Sequence, residues 1–106
     1  MPKYLIHGNY VGDGVKGLIA DGGTKRRDAI RKLCRSVGGK LDAIYYALGE
    51  DDVYCIIDAP DNVTVAAASL AANASGMVTV KTTALLTVDE MDKAAKKVPQ
   101  YRPPGG

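Results

Sequence analysis

The stretch from Gly38 to Pro60 constrains the fold more than any other part of the chain. It reads Gly38-Gly39, then KLDAIYYAL, the acidic turn Gly49-Glu50-Asp51-Asp52, then VYCIID and Ala59-Pro60. Val, Ile, Tyr and Cys suit a pleated, half-buried surface. Two such runs joined by a few turn-forming residues predict an antiparallel hairpin. Helical patterns flank the hairpin on both sides, so it reads as the middle of a β-α-β-β-α-β unit. A four-stranded antiparallel sheet built this way carries its helices on one face and leaves the other bare.

The flanking segments agree with that reading. KYLIHGNY (residues 3–10) is strand-like, and Val15, Leu18 and Ile19 then fall on one helical face. Gly22-Gly23 interrupts the face and predicts a kink, with a longer helix from about Thr24 whose stripe is Ile30, Leu33, Cys34 and Val37. Gly38-Gly39 supplies a left-handed end. Asp61 caps a second helix of mostly alanine, in which Ala68 and Ala72 widen the apolar arc beyond what one sheet face needs. MVTVKTTALLT is a long last strand, and Thr87 with Glu90 forms a capping box that opens a short third helix. The prediction is a ferredoxin-like α+β two-layer sandwich with strands near 3–10, 40–48, 52–58 and 77–87. Its helices lie near 13–37, 61–75 and 88–97. Residues 1–98 form the domain, and 99–106 (PQYRPPGG) an extended tail.

Bulk composition excludes more than it identifies. The chain has 106 residues, enough for one domain, and a net charge of only +2. Nucleic-acid-binding domains usually carry a pronounced basic excess, so no nucleic-acid partner is expected. No segment has the length of a membrane span, and the amino terminus lacks the pattern of a signal peptide. Two separated cysteines, without metal-ligand spacing, suit a reducing cytoplasm. The hairpin strands carry apolar or aromatic residues at both parities: Leu41, Ala43, Tyr45 and Ala47 on one side, Ile44, Tyr46 and Leu48 on the other. Strands apolar on both faces are buried on both. A chain of this size has no second layer of its own to offer, so a homo-oligomer is expected, with the tail reaching across to a neighbour.

Three segments together carry a family resemblance: HGNYVGDGVKGLIADGGTKRRDAIRKL, GGKLDAIYYALGEDDVYCIIDAPDN and VTVKTTALLTVDEM. In this order they resemble the GYD-domain family, and the likeness covers essentially the whole chain. The family takes its name from a Gly/Tyr/Asp motif in the β2–β3 turn. Gly49 and Asp52 match that motif, while Asp51 stands where the tyrosine is expected. The family is similar to the dimeric α/β-barrel group of ferredoxin-like folds, which includes small monooxygenases, lactone isomerases and effector-binding domains of transcription regulators. The resemblance therefore implies the fold and an oligomer, and leaves the reaction or ligand open.

Several residues are candidates for chemistry. His7, the one histidine, reads first as a packed strand residue satisfied by a main-chain carbonyl, and second as a proton-transfer partner of a nearby tyrosine. Lys16 follows a Gly-rich turn, but Gly17 stands where a phosphate-binding loop needs Ser or Thr, so nucleotide hydrolysis is not expected. Lys25-Arg26-Arg27 is either a solvated face or an anion-binding or subunit-contact cluster. Glu50, Asp51 and Asp52 read as a solvated turn, with Asp52 bonding backbone amides. Cys34 and Cys55 read as inert core thiols. Lys81 either faces solvent at an edge or lines a cavity with Thr79 and Thr83.

The expected ligand site is a pocket between the sheet and the β1–α1 region, formed by His7, Asn9, Tyr10, Lys16, Tyr46 and Tyr54. An anionic or aromatic small molecule would suit it, with no cofactor and no metal. No acid/base pair stands out in the sequence. A binding or regulatory module is therefore favoured over a small cofactor-independent enzyme of the monooxygenase or isomerase type, and over a purely structural oligomer.

Overall fold

A computed structural model describes all of residues 1–106. The elements are β1 (Lys3–Tyr10), α1 (Asp13–Ser36), β2 (Lys40–Tyr46), β3 (Val53–Asp58), α2 (Asn62–Ala74), β4 (Val78–Leu85) and α3 (Val88–Ala95). The chain is α+β, with three helices and one antiparallel four-stranded sheet in the order β2-β3-β1-β4. The layout runs β-α-β-β-α-β-α, the last helix lying beyond the six elements of the expected unit.

Local chemistry accounts for the ends of these elements. Asp61 accepts a hydrogen bond from the Thr64 amide at 2.8 Å and starts α2. Thr87 and Glu90 exchange both bonds of a capping box at the start of α3. Within α1 the helix breaks at Gly22, whose φ of 73° lies in the left-handed region that a side chain disfavours.

β1 is the axis of the sheet. Its residues Tyr4, Ile6, Gly8 and Tyr10 face the helices, and the core between the layers gathers Tyr4, Tyr10, Cys34, Leu41, Val53, Cys55, Ile57, Ala59 and Val65. Gly8 lets β4 come close: a Cβ there would sit 1.9 Å from the Thr79 carbonyl oxygen. β2 departs from the alternation expected of it. The register shifts between Leu41 and Ala43, so that Leu41, Ile44 and Tyr46 pair with Ile57, Cys55 and Val53 and share the helix side. Ala43 and Tyr45 oppose Ile56 and Tyr54 on the open side. The bulge displaces Asp42, which joins Asp58 in holding the Lys3 ammonium.

Burial is sparse for a chain of this length: only 12 of 106 residues are buried. On the open face Tyr45 is 73% exposed, and Tyr54 and Ile56 are each 37% exposed. From Leu86 onward the chain leaves the body of the domain, and α3 contributes no buried residue. The radius of gyration, 16.9 Å, exceeds the roughly 13 Å of a compact domain of this length, which is the signature of that projecting arm.

Candidate functional site

Strand register assembles a polar cluster on the open face. Tyr45 pairs with Tyr54, Tyr54 with His7, and His7 with Lys81, so one row of side chains crosses all four strands. The His7 and Tyr54 rings stack nearly parallel, 7° apart in plane, with centroids 5.7 Å apart. The β2–β3 turn folds over the end of this row. Asp51 Oδ2 lies 2.6 Å from His7 Nδ1, and Asn9 Nδ2 donates to Asp51 Oδ1 at 3.2 Å.

Asp51 was expected to be solvated, and the structure corrects this: it is 7% exposed and fully engaged. The hydrogen bond from His7 holds its carboxyl below the usual carboxylate range, against the opposing effect of burial, with Lys81 adding a smaller pull in the same direction. An ionised carboxylate only accepts, so His7 Nδ1 carries the proton. In the neutral ring that leaves Nε2 as an unprotonated acceptor with no protein partner. The expected main-chain carbonyl partner for His7 is thus replaced by a carboxylate.

Asp52 holds the same turn by its backbone and its side chain. Its amide donates to the Gly8 carbonyl at 2.8 Å, its carbonyl accepts from Ala47, and its Oδ2 accepts from the Tyr10 amide at 3.1 Å. The expectation that Asp52 bonds backbone amides holds.

The second centre lies on the other side of the sheet. A cavity of about 140 Å³ opens between the sheet and the helices, walled by apolar groups such as Ile6, Cys55, Ile30, Cys34, Val65 and Ala68. Arg26 from α1 reaches into its wall and lies over the Tyr10 ring, 5.9 Å from the centroid. Its Nε is buried and has no hydrogen-bond partner. Nearby, the Tyr46 hydroxyl donates to the Gly23 carbonyl at 3.1 Å, a carbonyl placed beside the α1 break. Burial, then the neighbouring Tyr10, raises the Tyr46 phenol above its ordinary value. Burial likewise pushes the Cys55 thiol up to about 11 and raises Cys34, so both are protonated and unreactive at neutral pH.

The six residues expected to form one site are divided between these centres. His7, Asn9 and Tyr10 all border the cavity as part of β1, but the side chains of His7 and Asn9 engage Asp51. Tyr54 stacks on His7 at the open face, and Tyr46 sits against α1. Lys16 belongs to neither: it is exposed on α1, 3.9 Å from Asp13. Lys81 lies opposite His7 and is exposed, in the same row as the stacked rings.

Sequence reasoning missed Asp51 and did not weigh Arg26 as a cavity residue. A signal for Asp51 existed once the topology was assumed. In a β-α-β-β-α-β unit β3 lies beside β1, so the residues just before Val53 fall next to Gly8 and its neighbours. No group of three or more His, Cys, Asp or Glu side chains is placed to hold a metal ion. No helix is long and apolar enough to cross a membrane.

The arrangement pairs a carboxylate-oriented imidazole on one face with an apolar, arginine-edged cavity on the other, in a small α+β chain. A family model described as GYD domain matches residues 4–95. The chain belongs to the GYD domain family. Comparison with curated proteins and with solved structures gave no match.

Proposed function

We propose that this protein is a cofactor-independent small-molecule-binding or regulatory module of ferredoxin-like fold, acting as an oligomer in the cytoplasm. The observation that carries the reading is the cavity of about 140 Å³ between sheet and helices, with its almost wholly apolar wall. An apolar cavity of about 150 Å³ can stay dry and accept a benzene-sized molecule, so this one has the volume for a ligand and the chemistry to prefer it over water. Assembly is supported by the exposed tyrosines and Ile56 of the open face and by the exposed Leu86, Val88, Met91, Val98 and Tyr101 of the projecting arm. Large apolar patches of this sort mark interaction surfaces.

The direct test uses a neutral aromatic probe. Toluene or benzyl alcohol should show saturation-transfer NMR signals with the wild-type protein and raise its melting temperature. Ala68→Leu, which fills the cavity, should abolish both effects while the protein stays folded. Failure of every probe, neutral or anionic, to bind at millimolar concentration would reject the reading. For assembly, sedimentation should give a species larger than 11 kDa at micromolar concentration, and removal of residues 99–106 should weaken it.

One observation favours a second reading, that of a small cofactor-independent enzyme. The His7–Asp51 pair, 2.6 Å apart, has the form of an imidazole oriented by a carboxylate, with Nε2 left to accept a proton. On this reading His7→Phe abolishes turnover of any substrate found while preserving the melting temperature. A variant that loses stability instead would assign His7 to packing alone.

A further inference from the structure

We infer that the cavity selects a ligand bearing a carboxylate on a benzene-sized apolar body, and that Arg26 is the residue that reads the charge. The inference deepens the binding reading above and rests on it.

Three observations converge. First, the cavity wall holds one permanently charged group among residues such as Ile6, Ile30, Val65 and Ala68. The one carboxylate bordering the cavity is Asp58, and it is taken up by Lys3 at 2.7 Å. Second, Arg26 makes no salt bridge, although its neighbours Arg27 and Arg31 both pair with Asp28. Its Nε is withdrawn from solvent with no acceptor. A guanidinium donor left unpaired away from water is costly, and the cost is relieved by an anion that accepts from it. Third, the head is already positioned. Tyr10 lies beneath it with its ring centroid 5.9 Å from Cζ, and the break at Gly22 lets Tyr46 fasten the adjacent turn of α1 through the Gly23 carbonyl. A pre-placed planar fork of donors matches a carboxylate better than a point cation would.

Size and polarity then narrow the ligand. A volume of about 140 Å³ accommodates one six-membered ring or a comparable branched chain. The wall offers few polar partners, so a second charge or several hydroxyls on the ligand would be left unsatisfied. Benzoate and short branched monocarboxylates fit; dicarboxylates and sugars do not.

The test compares benzoate with benzyl alcohol, a neutral molecule of the same shape, on the full chain, wild type and the variants Arg26→Met, Arg26→Lys and Ala68→Leu. Binding is followed by saturation-transfer NMR and by the melting temperature. Benzoate should bind wild type about ten to a hundred times more tightly than benzyl alcohol, the range of one charge-assisted hydrogen bond or a bidentate pair. Arg26→Met should erase that preference while leaving benzyl alcohol unchanged, and Arg26→Lys should restore only part of it. Equal affinity of wild type for the two probes would overturn the role of Arg26 and leave the cavity reading standing. Binding of neither probe would overturn both. Benzoate binding that survives Ala68→Leu would place the anion on the exposed basic surface of α1, and so would also reject the inference.

Discussion

Replacing Gly8 with alanine should damage the sheet severely, because the added methyl group meets the backbone of β4. The new Cβ would lie 1.9 Å from the Thr79 oxygen, 2.9 Å from its carbonyl carbon and 2.9 Å from the Val80 Cα. All three atoms are backbone, so no rotamer change relieves the clash. Carbon–oxygen contacts between strands settle near 3.3–3.6 Å, so β4 must move outward by roughly 1.4 Å at this point. That displacement sacrifices about two ladder hydrogen bonds, each worth about 1 kcal/mol net, and adds overpacking strain of about 1–3 kcal/mol. The expected loss is about 3–5 kcal/mol, against a total of about 5–15 kcal/mol for a domain. Urea unfolding followed by far-UV circular dichroism should report it as a lower midpoint with unchanged slope, and a thermal scan as a fall of roughly 15 °C or more. Gly17→Ala is the matched control, since an added Cβ there meets nothing within 4 Å inside a helix. It should be neutral or stabilising by about 0.5–1 kcal/mol. A Gly8→Ala protein within about 1 kcal/mol of wild type would refute the close approach of β4 to β1, and with it the placement of Lys81 beside His7.

Three further outcomes follow from the same geometry. Asp51 has a folded-state pKa depressed by His7, so its contribution to stability is full above the unfolded carboxylate value of about 3.9 and is lost as pH falls through the lower folded value. Asp51→Asn should therefore be less stable at pH 7 and should show a shallower decline below pH 4; urea midpoints with the same pH slope as wild type would reject the pair. Cys55, raised to about 11, is ionised in only about one molecule in a thousand at pH 8, so native protein should react slowly with Ellman's reagent and denatured protein rapidly. Fast labelling of the native state would show the thiol accessible. Thr87→Ala removes the cap of a helix of 8 residues that buries nothing, so it should lower helicity without moving the global midpoint. A fall in melting temperature of several degrees would instead mean that α3 is docked in solution.

The parts of this architecture that were legible in the sequence are those that local chemistry decides. Asp61 and Thr87 act on amides three residues away, and Gly22 breaks its own helix, so each could be read from a short window. What escaped depends on partners far along the chain. The bulge at Asp42 reverses the parity of Leu41 relative to Ala43 and Tyr45, and the displaced carboxylate meets a lysine 39 residues away. Asp51 looks like a soluble turn residue until β1 and β3 are paired, which brings it to a histidine 44 residues distant. The basic run Lys25-Arg26-Arg27 was visible, but nothing in its composition distinguishes the one guanidinium whose Nε is turned inward from its solvated neighbours.

Alternation along β1 also bears on the choice between the two functional readings. The ring of His7 is held by Asp51 and stacked on Tyr54, neither of which borders the cavity, so its free nitrogen belongs to the open face. On the cavity side the one carboxylate, Asp58, is taken up by Lys3, and the other groups are poor bases at neutral pH. Arg26 has no acceptor atom, the Cys34 and Cys55 thiols are held protonated, and the Tyr46 phenol is raised further above an already high value. A base and a ligand cavity on opposite faces of one sheet cannot serve the same molecule unless the ligand passes through the strands. Catalysis by His7 would need a substrate bound on the open face, among Tyr45, Tyr54 and Lys81, where a single copy of the chain supplies a floor and no walls. The cavity needs no such completion, and for that reason the binding reading stands ahead of the enzymatic one.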